Sequence, residues 1–181
     1  MYSQHAVVPV PEATAGPSPN GNHPTKNKLS MVVFSGDMDK VMAALTIASG
    51  AAASGMQVSM FFTFWGLKAI ERPGVLTGKG LFGRMLGLMN RGGLNALGPS
   101  RLNMGGLGRW MFKLMMRQKN IASLPELYDA AVELGVKMMP CQMSMEVMEF
   151  DPANFQPNVT EPVGVATFME EAAESKVTLF I

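Results

Sequence analysis

The fold is decided by the stretch GVKMMPCQMSMEVM, which runs from Gly135 to Met148. Its apolar run, residues 136–139, has the length and composition of a buried strand and is halted by Pro140. Cys141 then falls on a turn, and Ser144 is placed to cap a helix that continues through residue 148. The pattern therefore predicts a sulfur atom at the carboxyl end of a strand and close to the amino end of a helix. Open α/β sheets bind their ligands at this edge.

Cys141 is the only cysteine among the 181 residues. An intrachain disulfide and a multi-cysteine zinc or iron–sulfur site are therefore excluded, which fits a reducing compartment such as the cytoplasm. Two interpretations of Cys141 stay open. The unpaired amides and the dipole of a helix start favour a reactive thiolate, whereas an unpaired cysteine is most often a small buried hydrophobe.

Two further strands are predicted to end at the same edge of the sheet. Residues 28–34 have the pattern of a buried first strand, and Ser35 and Gly36 lie in the turn that begins a helix. Residues 57–64 are short and aromatic, like a second buried strand, and Trp65 lies at its end. We expect Ser35, Gly36, Trp65 and Ser144 to bind substrate beside Cys141. The alternatives are an ordinary helix cap at Ser35 and a Trp65 that only covers a helix.

Residues 41–67 carry no charged side chain, and a stretch of that length is also typical of a transmembrane helix. Its composition favours another interpretation. Residues 41–54 are rich in alanine and favour a helix, Gly55 is a natural stop, and residues 57–64 favour a strand. We therefore predict a helix, a turn and a strand in the core of a domain.

The same alternation continues towards the carboxyl end. Ser123, Pro125 and Glu126 have the spacing of a capped helix start, and Gly135 ends that helix. Residues 163–175 predict another helix and residues 176–181 a closing strand. Strands that alternate with helices predict an α/β fold, with a parallel sheet of about five strands and helices on both faces. This domain would span residues 28–181, and a disordered tail of residues 1–27 would precede it.

Residues 73–119 differ from the rest and are predicted to form an inserted lid or docking segment. They contain eleven glycines and six methionines, and from Arg72 to Lys119 there are nine basic residues and no acidic one. Residues 81–89 and 107–118 can each form a short amphipathic helix, although glycine weakens both. The segment could contact a partner or a second copy of the chain, lie on an anionic membrane, or only cover the core. Partner or oligomer contact is favoured over the membrane surface.

Several kinds of chemistry are disfavoured by the residues available. The only histidines, His5 and His23, lie in the tail, so a Ser/His/Asp triad or a rigid histidine metal site is not expected. Nucleic-acid binding is disfavoured because the net charge is only +1 and no recognised motif accompanies the bases. Methionines surround Cys141, which would suit Cu(I), but helix-spaced methionines are more often packing. No metal or cofactor is predicted.

Four blocks of the sequence, in order, resemble the DsrE/DsrF/DsrH-like family in its longer branch with a Met- and Gly-rich insertion. The blocks are MVVFSGDMDK (31–40), MFFTFWGL (60–67), NMGGLG (103–108) and CQMSMEVM (141–148). The resemblance implies a Rossmann-like domain, usually homo-oligomeric, that acts in cytoplasmic sulfur relay. It also implies that Cys141 holds a persulfide and exchanges it with a rhodanese or a TusA-like carrier. A scaffold or peripheral membrane protein that acts through the basic insertion is the alternative.

Overall fold

The computed structural model describes residues 26–75, 78, 85, 92–101 and 103–181. Its sheet has four parallel strands in the order β3-β2-β1-β4. This is the order of the first four strands in Rossmann-type folds. The strands are β1 (Lys26–Val33), β2 (Gln57–Phe62), β3 (Lys137–Pro140) and β4 (Ser175–Phe180).

The prediction of about five strands was wrong, and the outer side of β3 shows why. Residues 159–163 run beside β3 but meet it only at isolated bridges, between Val159 and Met138 and between Val163 and Cys141. Pro162 lies between these two bridges and has no amide hydrogen to donate, so this segment does not form a regular strand.

Six helices of the described residues connect and cover the strands. They are α1 (Met38–Ala53), α2 (Leu67–Ile70), α3 (Leu107–Gln118), α4 (Leu124–Glu133), α5 (Gln142–Val147) and α6 (Val165–Ala173). The main core joins α1 and α4 to the sheet, with the side chains of Met31, Leu45, Phe62, Tyr128 and Met138 fully buried there. A smaller apolar cluster joins α6 to the sheet through Phe61 and Phe168. The predicted helices on both faces are therefore present.

The predicted division of the uncharged stretch and the predicted start of α4 are confirmed, and other predicted boundaries move by a few residues. The uncharged stretch divides into α1, a turn at Gly55 and β2, and Gly55 has the positive φ of 81° that favours glycine. Among the described residues, no helix is long and apolar enough to cross a membrane. The Ser123 amide and hydroxyl donate to the Glu126 carboxylate at 2.7 and 2.8 Å, which confirms the capped start of α4. β1 begins at Lys26 instead of residue 28.

The segment from 73 to 119 is only partly described. Its predicted second amphipathic helix is α3, with the predicted bounds, whereas the predicted helix over 81–89 and the predicted tail before Lys26 lie outside the described residues, apart from Met85. Leu94 and Leu97 are buried in the main core, and the Gly98 carbonyl accepts a 2.8 Å hydrogen bond from the Met38 amide at the start of α1. This part of the segment is therefore packed against the sheet domain.

Candidate functional site

Cys141 lies where β3 ends, as the sequence predicts. Its amide donates to the Phe62 carbonyl at 2.9 Å, which continues the ladder between β3 and β2 for one residue. Its carbonyl accepts from the Met145 amide at 3.0 Å, so Cys141 itself is the residue that precedes α5. The backbone of Cys141 is therefore fixed by the strand on one side and by the helix on the other.

The thiol is enclosed by apolar side chains. Cys141 is 1% exposed and clusters with Phe61, Met139 and Phe168 on the α6 side of the sheet. The Phe61 and Phe168 rings stack with their centroids 4.7 Å apart. Of the two interpretations left open by the sequence, this conformation therefore presents the buried thiol, and a reacting partner reaches it only if the cover of α6 moves.

Two ionic contacts hold that cover on the sheet. Glu171 of α6 lies 2.8 Å from the Lys28 ammonium of β1 and 3.3 Å from the Lys137 ammonium of β3. The hydrogen bond from Lys28 lowers the pKa of the Glu171 carboxyl, against the effect of its partial burial, and Lys137 lowers the pKa further. The hydrogen bond to Glu171 likewise raises the pKa of Lys28, despite its burial. Both groups are therefore held in their charged forms across neutral pH.

Ser144 does not cap the helix, contrary to the prediction. It lies inside α5, is fully buried, and its hydroxyl is 2.7 Å from the hydroxyl of Thr63 in the loop after β2. The reason lies in the two backbone hydrogen bonds of Cys141. Its amide makes the last hydrogen bond of the sheet on this strand and its carbonyl accepts the first hydrogen bond of the helix, so α5 starts immediately after the strand. Ser144 joins α5 to the β2 loop and lines none of the clefts described below.

Ser35, Gly36 and Trp65 are brought together at the carboxyl edge of β1 and β2. They line a cleft of about 480 Å³, and Trp65 is 40% exposed there. The Ser35 hydroxyl donates to the Asp37 carboxylate at 2.9 Å, and Asp37 lies 2.9 Å from the Lys40 ammonium. Cys141 does not line this cleft. Three of the four residues predicted to bind substrate therefore line one cleft, to which Cys141 does not contribute in this conformation.

The two loops of this cleft touch backbone to backbone at their glycines. A Cβ on Gly36 would lie 2.6 Å from the Trp65 carbonyl oxygen, and a Cβ on Gly66 would lie 2.1 Å from the Val33 carbonyl oxygen. The Gly66 amide also donates to the Phe34 carbonyl at 2.9 Å. No side chain fits at either position, so the shape of the cleft depends on both glycines.

The far wall of the cleft comes from residues that the sequence analysis missed. Leu97, Gly98, Pro99 and Asn103 complete the lining. They lie in the glycine-rich segment, where no hydrophobic period marks their position. Asp39 in the first turn of α1 fixes this part of the segment to the helix, because its carboxylate accepts 2.8 and 2.7 Å hydrogen bonds from the amide and hydroxyl of Ser100.

A second cleft, of about 510 Å³, begins at the residue after the thiol. Its lining consists of Gln142, Met145, Glu146, Glu149, Phe150, Pro152 and Pro162. Gln142 follows Cys141 in the chain, and Pro162 precedes Val163. The Gln142 amide donates to the Val163 carbonyl at 3.1 Å. The sequence analysis did not predict this cleft. Its lining includes the residue that follows Cys141 in the chain, whereas the lining of the Trp65 cleft does not.

Within the described part of the chain, no three His, Cys, Asp or Glu side chains are grouped so that they could hold a metal ion. The chemistry that the site offers rests on one thiol, its apolar cover, and two clefts at one edge of the sheet.

The fold and the site define a Rossmann-like α/β domain that carries its single cysteine at the end of a strand. The sequence model of the DsrE/DsrF/DrsH-like family matches residues 25–180, and the chain belongs to this family. The predicted family resemblance is therefore confirmed.

Two relatives match nearly their whole length. The protein of Bacillus subtilis strain 168 named "Uncharacterized protein YrkE" is 37% identical over 85% of this chain and 96% of its own. The "Sulfur carrier protein DsrE2" of Allochromatium vinosum is 34% identical over 86% of this chain and 99% of its own. The crystal structure of the ychN protein from E. coli has a TM-score of 0.50 at 9% identity, over 85% of this chain and 98% of that one. This last likeness concerns the fold alone.

Proposed function

We propose that the protein is a sulfur carrier, in which Cys141 receives a sulfane sulfur from one partner and passes it to another. The observation that carries the proposal is the combination of family membership and a sulfur carrier relative with a single cysteine in this chain. Cys141 stands after a strand at the ligand-binding edge of the sheet, and the chain has no second thiol with which it could form an intramolecular disulfide.

The transfer consists of two thiol exchange steps. The Cys141 thiolate attacks the outer sulfur of a donor persulfide; the new bond joins Sγ to that sulfur, the donor S–S bond breaks, and the donor leaves as a thiolate. An acceptor thiolate then attacks the outer sulfur of the Cys141 persulfide, and Cys141 leaves as a thiolate. Each bond formed replaces one bond of the same kind, so the cycle needs no oxidant, reductant or metal.

Access is the physical requirement that this cycle places on the molecule. The 1% exposure of Cys141 means that its apolar cover, to which α6 contributes Phe168, opens before donor and acceptor can react. The same cover would then protect the loaded sulfur from stray thiols between the two steps. The family resemblance implies a rhodanese or a TusA-like carrier as donor and acceptor, and a homo-oligomer in the cytoplasm.

The clefts have separate roles in this proposal. The cleft of Ser35, Gly36 and Trp65 binds part of the partner that brings or removes the sulfur, because it opens at the same edge of the sheet. The cleft that begins at Gln142 binds another part of the partner, because it opens beside the backbone of Cys141, whereas the thiol itself is approached from the α6 side of the sheet. Ser144 supports the β2 loop through Thr63.

Intact mass spectrometry tests the proposal. The protein is incubated with a persulfide donor, desalted and weighed; we expect an added mass of one sulfur atom on the wild type and none on Cys141→Ser. The loaded protein, mixed with an acceptor thiol, should lose that mass while the acceptor gains it. An absent adduct on the wild type, or an equal adduct on Cys141→Ser, would contradict the proposal.

A further inference from the structure

Helix α3 turns its apolar side towards solvent, in contrast to an ordinary surface helix. Its exposed large apolar side chains are between 40% and 63% exposed. They are Leu107, Trp110, Met111, Leu114 and Met115. At about 100° per residue they occupy one continuous side of the helix, and we call this set the α3 stripe. Met104, 72% exposed, lies one turn before it.

The opposite side of α3 is attached to the body by its bases. Arg109 donates to the Ala96 carbonyl, and Lys113 donates to the Asn95 carbonyl at 2.9 Å. Gly108 and Met116 are buried on that side. Because the helix is already fixed through this face and no described residue covers the α3 stripe, we take the stripe as a docking surface.

The charged residues beside the α3 stripe indicate which kind of partner it binds. The α3 stripe is bordered by the exposed bases Arg117 and Lys119, and the chain contains no acidic residue from Arg72 to Lys119. If two copies paired through the α3 stripes, these like charges would be brought together. An apolar face with tryptophan, leucine and methionine beside basic residues has the composition of a helix that lies in the interface of an anionic bilayer.

We infer that the protein binds the surface of anionic lipid bilayers through the α3 stripe, with the apolar side chains inserted among the lipids and Arg117 and Lys119 at the headgroups. This binding goes beyond sulfur transfer and does not involve Cys141. It would place the carrier at a membrane surface through a helix that lies in the lipid interface.

Vesicle flotation with the full chain tests the inference. We expect the wild type to float with vesicles of about 30% phosphatidylglycerol in phosphatidylcholine and to stay behind with pure phosphatidylcholine. Trp110→Glu and Leu114→Glu should each lower the bound fraction by on the order of tenfold, since each removes inserted apolar surface and adds a repelled charge. Raising the salt concentration should weaken binding by screening the bases.

Ile47→Glu is the matched control, because Ile47 is an apolar side chain, 41% exposed, on helix α1 and outside the α3 stripe. It should bind like the wild type, and so should Cys141→Ser, which separates this test from that of the sulfur carrier. The inference is overturned if the wild type ignores anionic vesicles, binds neutral ones equally, or loses as much binding with Ile47→Glu. It is also overturned if Trp110→Glu converts an oligomer to a monomer in sedimentation while vesicles bind neither protein.

Discussion

The ring of Phe168 lies stacked on the ring of Phe61, 4.7 Å between centroids, on the side of the sheet that holds the Cys141 thiol. Phe61 belongs to β2 in the middle of the sheet, whereas Phe168 belongs to α6, which packs on the sheet. A stacked pair contributes about 0.5–1.5 kcal/mol beyond the area it buries. The stack is therefore a specific contact that keeps the cover over the thiol.

Phe168→Ala should make Cys141 react faster with iodoacetamide under native conditions. The substitution removes a ring of the apolar cluster that buries Cys141, and we expect the rate to rise roughly tenfold, as for the loss of about 1.4 kcal/mol of closing free energy. Mass spectrometry at timed intervals measures the rate.

Phe150→Ala is the control for general destabilisation. Phe150 and Phe168 are both 6% exposed, and Phe150 stacks on Phe155 at 5.7 Å, in the main core on the other side of the sheet. Truncating Phe150 costs stability, about 3–5 kcal/mol for a phenylalanine of the main core. Equal acceleration in both variants would mean that the thiol is reached by global unfolding and that α6 is not a local cover.

The sequence predicts the strands and most helices here because apolar periodicity and capping residues act locally. The residues of α3 are an example, since their bounds follow from local amphipathicity. The burial of Cys141 has no local signal, because Phe168 comes 27 positions later and reaches the thiol only through the fold. Likewise, Ser144 is a better cap by residue type, but the strand hydrogen bond of the Cys141 amide sets the helix start three residues earlier.

The ionic contact of Glu171 with Lys28 should stabilise the protein only in a defined range of pH. Because the pKa of Glu171 is lowered in the folded protein, its contribution to the free energy of unfolding is present above pH 4.5, its ordinary pKa. That contribution is lost as the pH falls through the pKa of the folded state. Because the pKa of Lys28 is raised in the folded protein, its contribution to the free energy of unfolding is present below pH 10.5, its ordinary pKa. That contribution is lost as the pH rises through the pKa of the folded state. Urea unfolding of the wild type and Glu171→Gln should therefore differ most near neutral pH and converge at both extremes.

Glu170→Gln provides the comparison for this pH series. Glu170 is the neighbouring exposed carboxylate on the same helix, so its substitution changes the net charge equally. Its free energy of unfolding should follow that of the wild type at all pH values. If Glu170→Gln and Glu171→Gln gave the same profile, net charge and not the contact with Lys28 would be responsible.

The buried hydroxyl pair of Thr63 and Ser144 should show coupling in a double-mutant cycle. Ser144→Ala or Thr63→Val alone leaves the remaining hydroxyl without its 2.7 Å partner, at a cost of about 1–3 kcal/mol. The double variant should cost less than the sum of the two, since no hydroxyl is then left unpaired. Unfolding in urea measures each step, and strict additivity would show that the two hydroxyls do not depend on each other.

Gly66→Ala should strongly destabilise the protein, whereas Gly50→Ala should stabilise it. The new methyl at Gly66 would lie 2.1 Å from the Val33 carbonyl oxygen, which cannot yield because it accepts a 3.0 Å hydrogen bond from the Thr63 amide. We expect a loss of roughly 3 kcal/mol or more from such overpacking. Gly50 is inside α1 with open space around its Cβ position, so alanine there should add about 0.5–1 kcal/mol through helix propensity.

Urea unfolding of the two glycine variants at neutral pH gives both free energies, and quenching of Trp65 by acrylamide in a Trp110→Phe background reports the cleft. Gly66→Ala should change Trp65 quenching because it separates the loops after β1 and β2, and Gly50→Ala should leave it unchanged. The contrary result is a Gly66→Ala variant that is as stable as the wild type and leaves Trp65 quenching unaltered. That result would contradict the close approach of the two loops, and the cleft that contains Ser35, Gly36 and Trp65 would then not depend on Gly66.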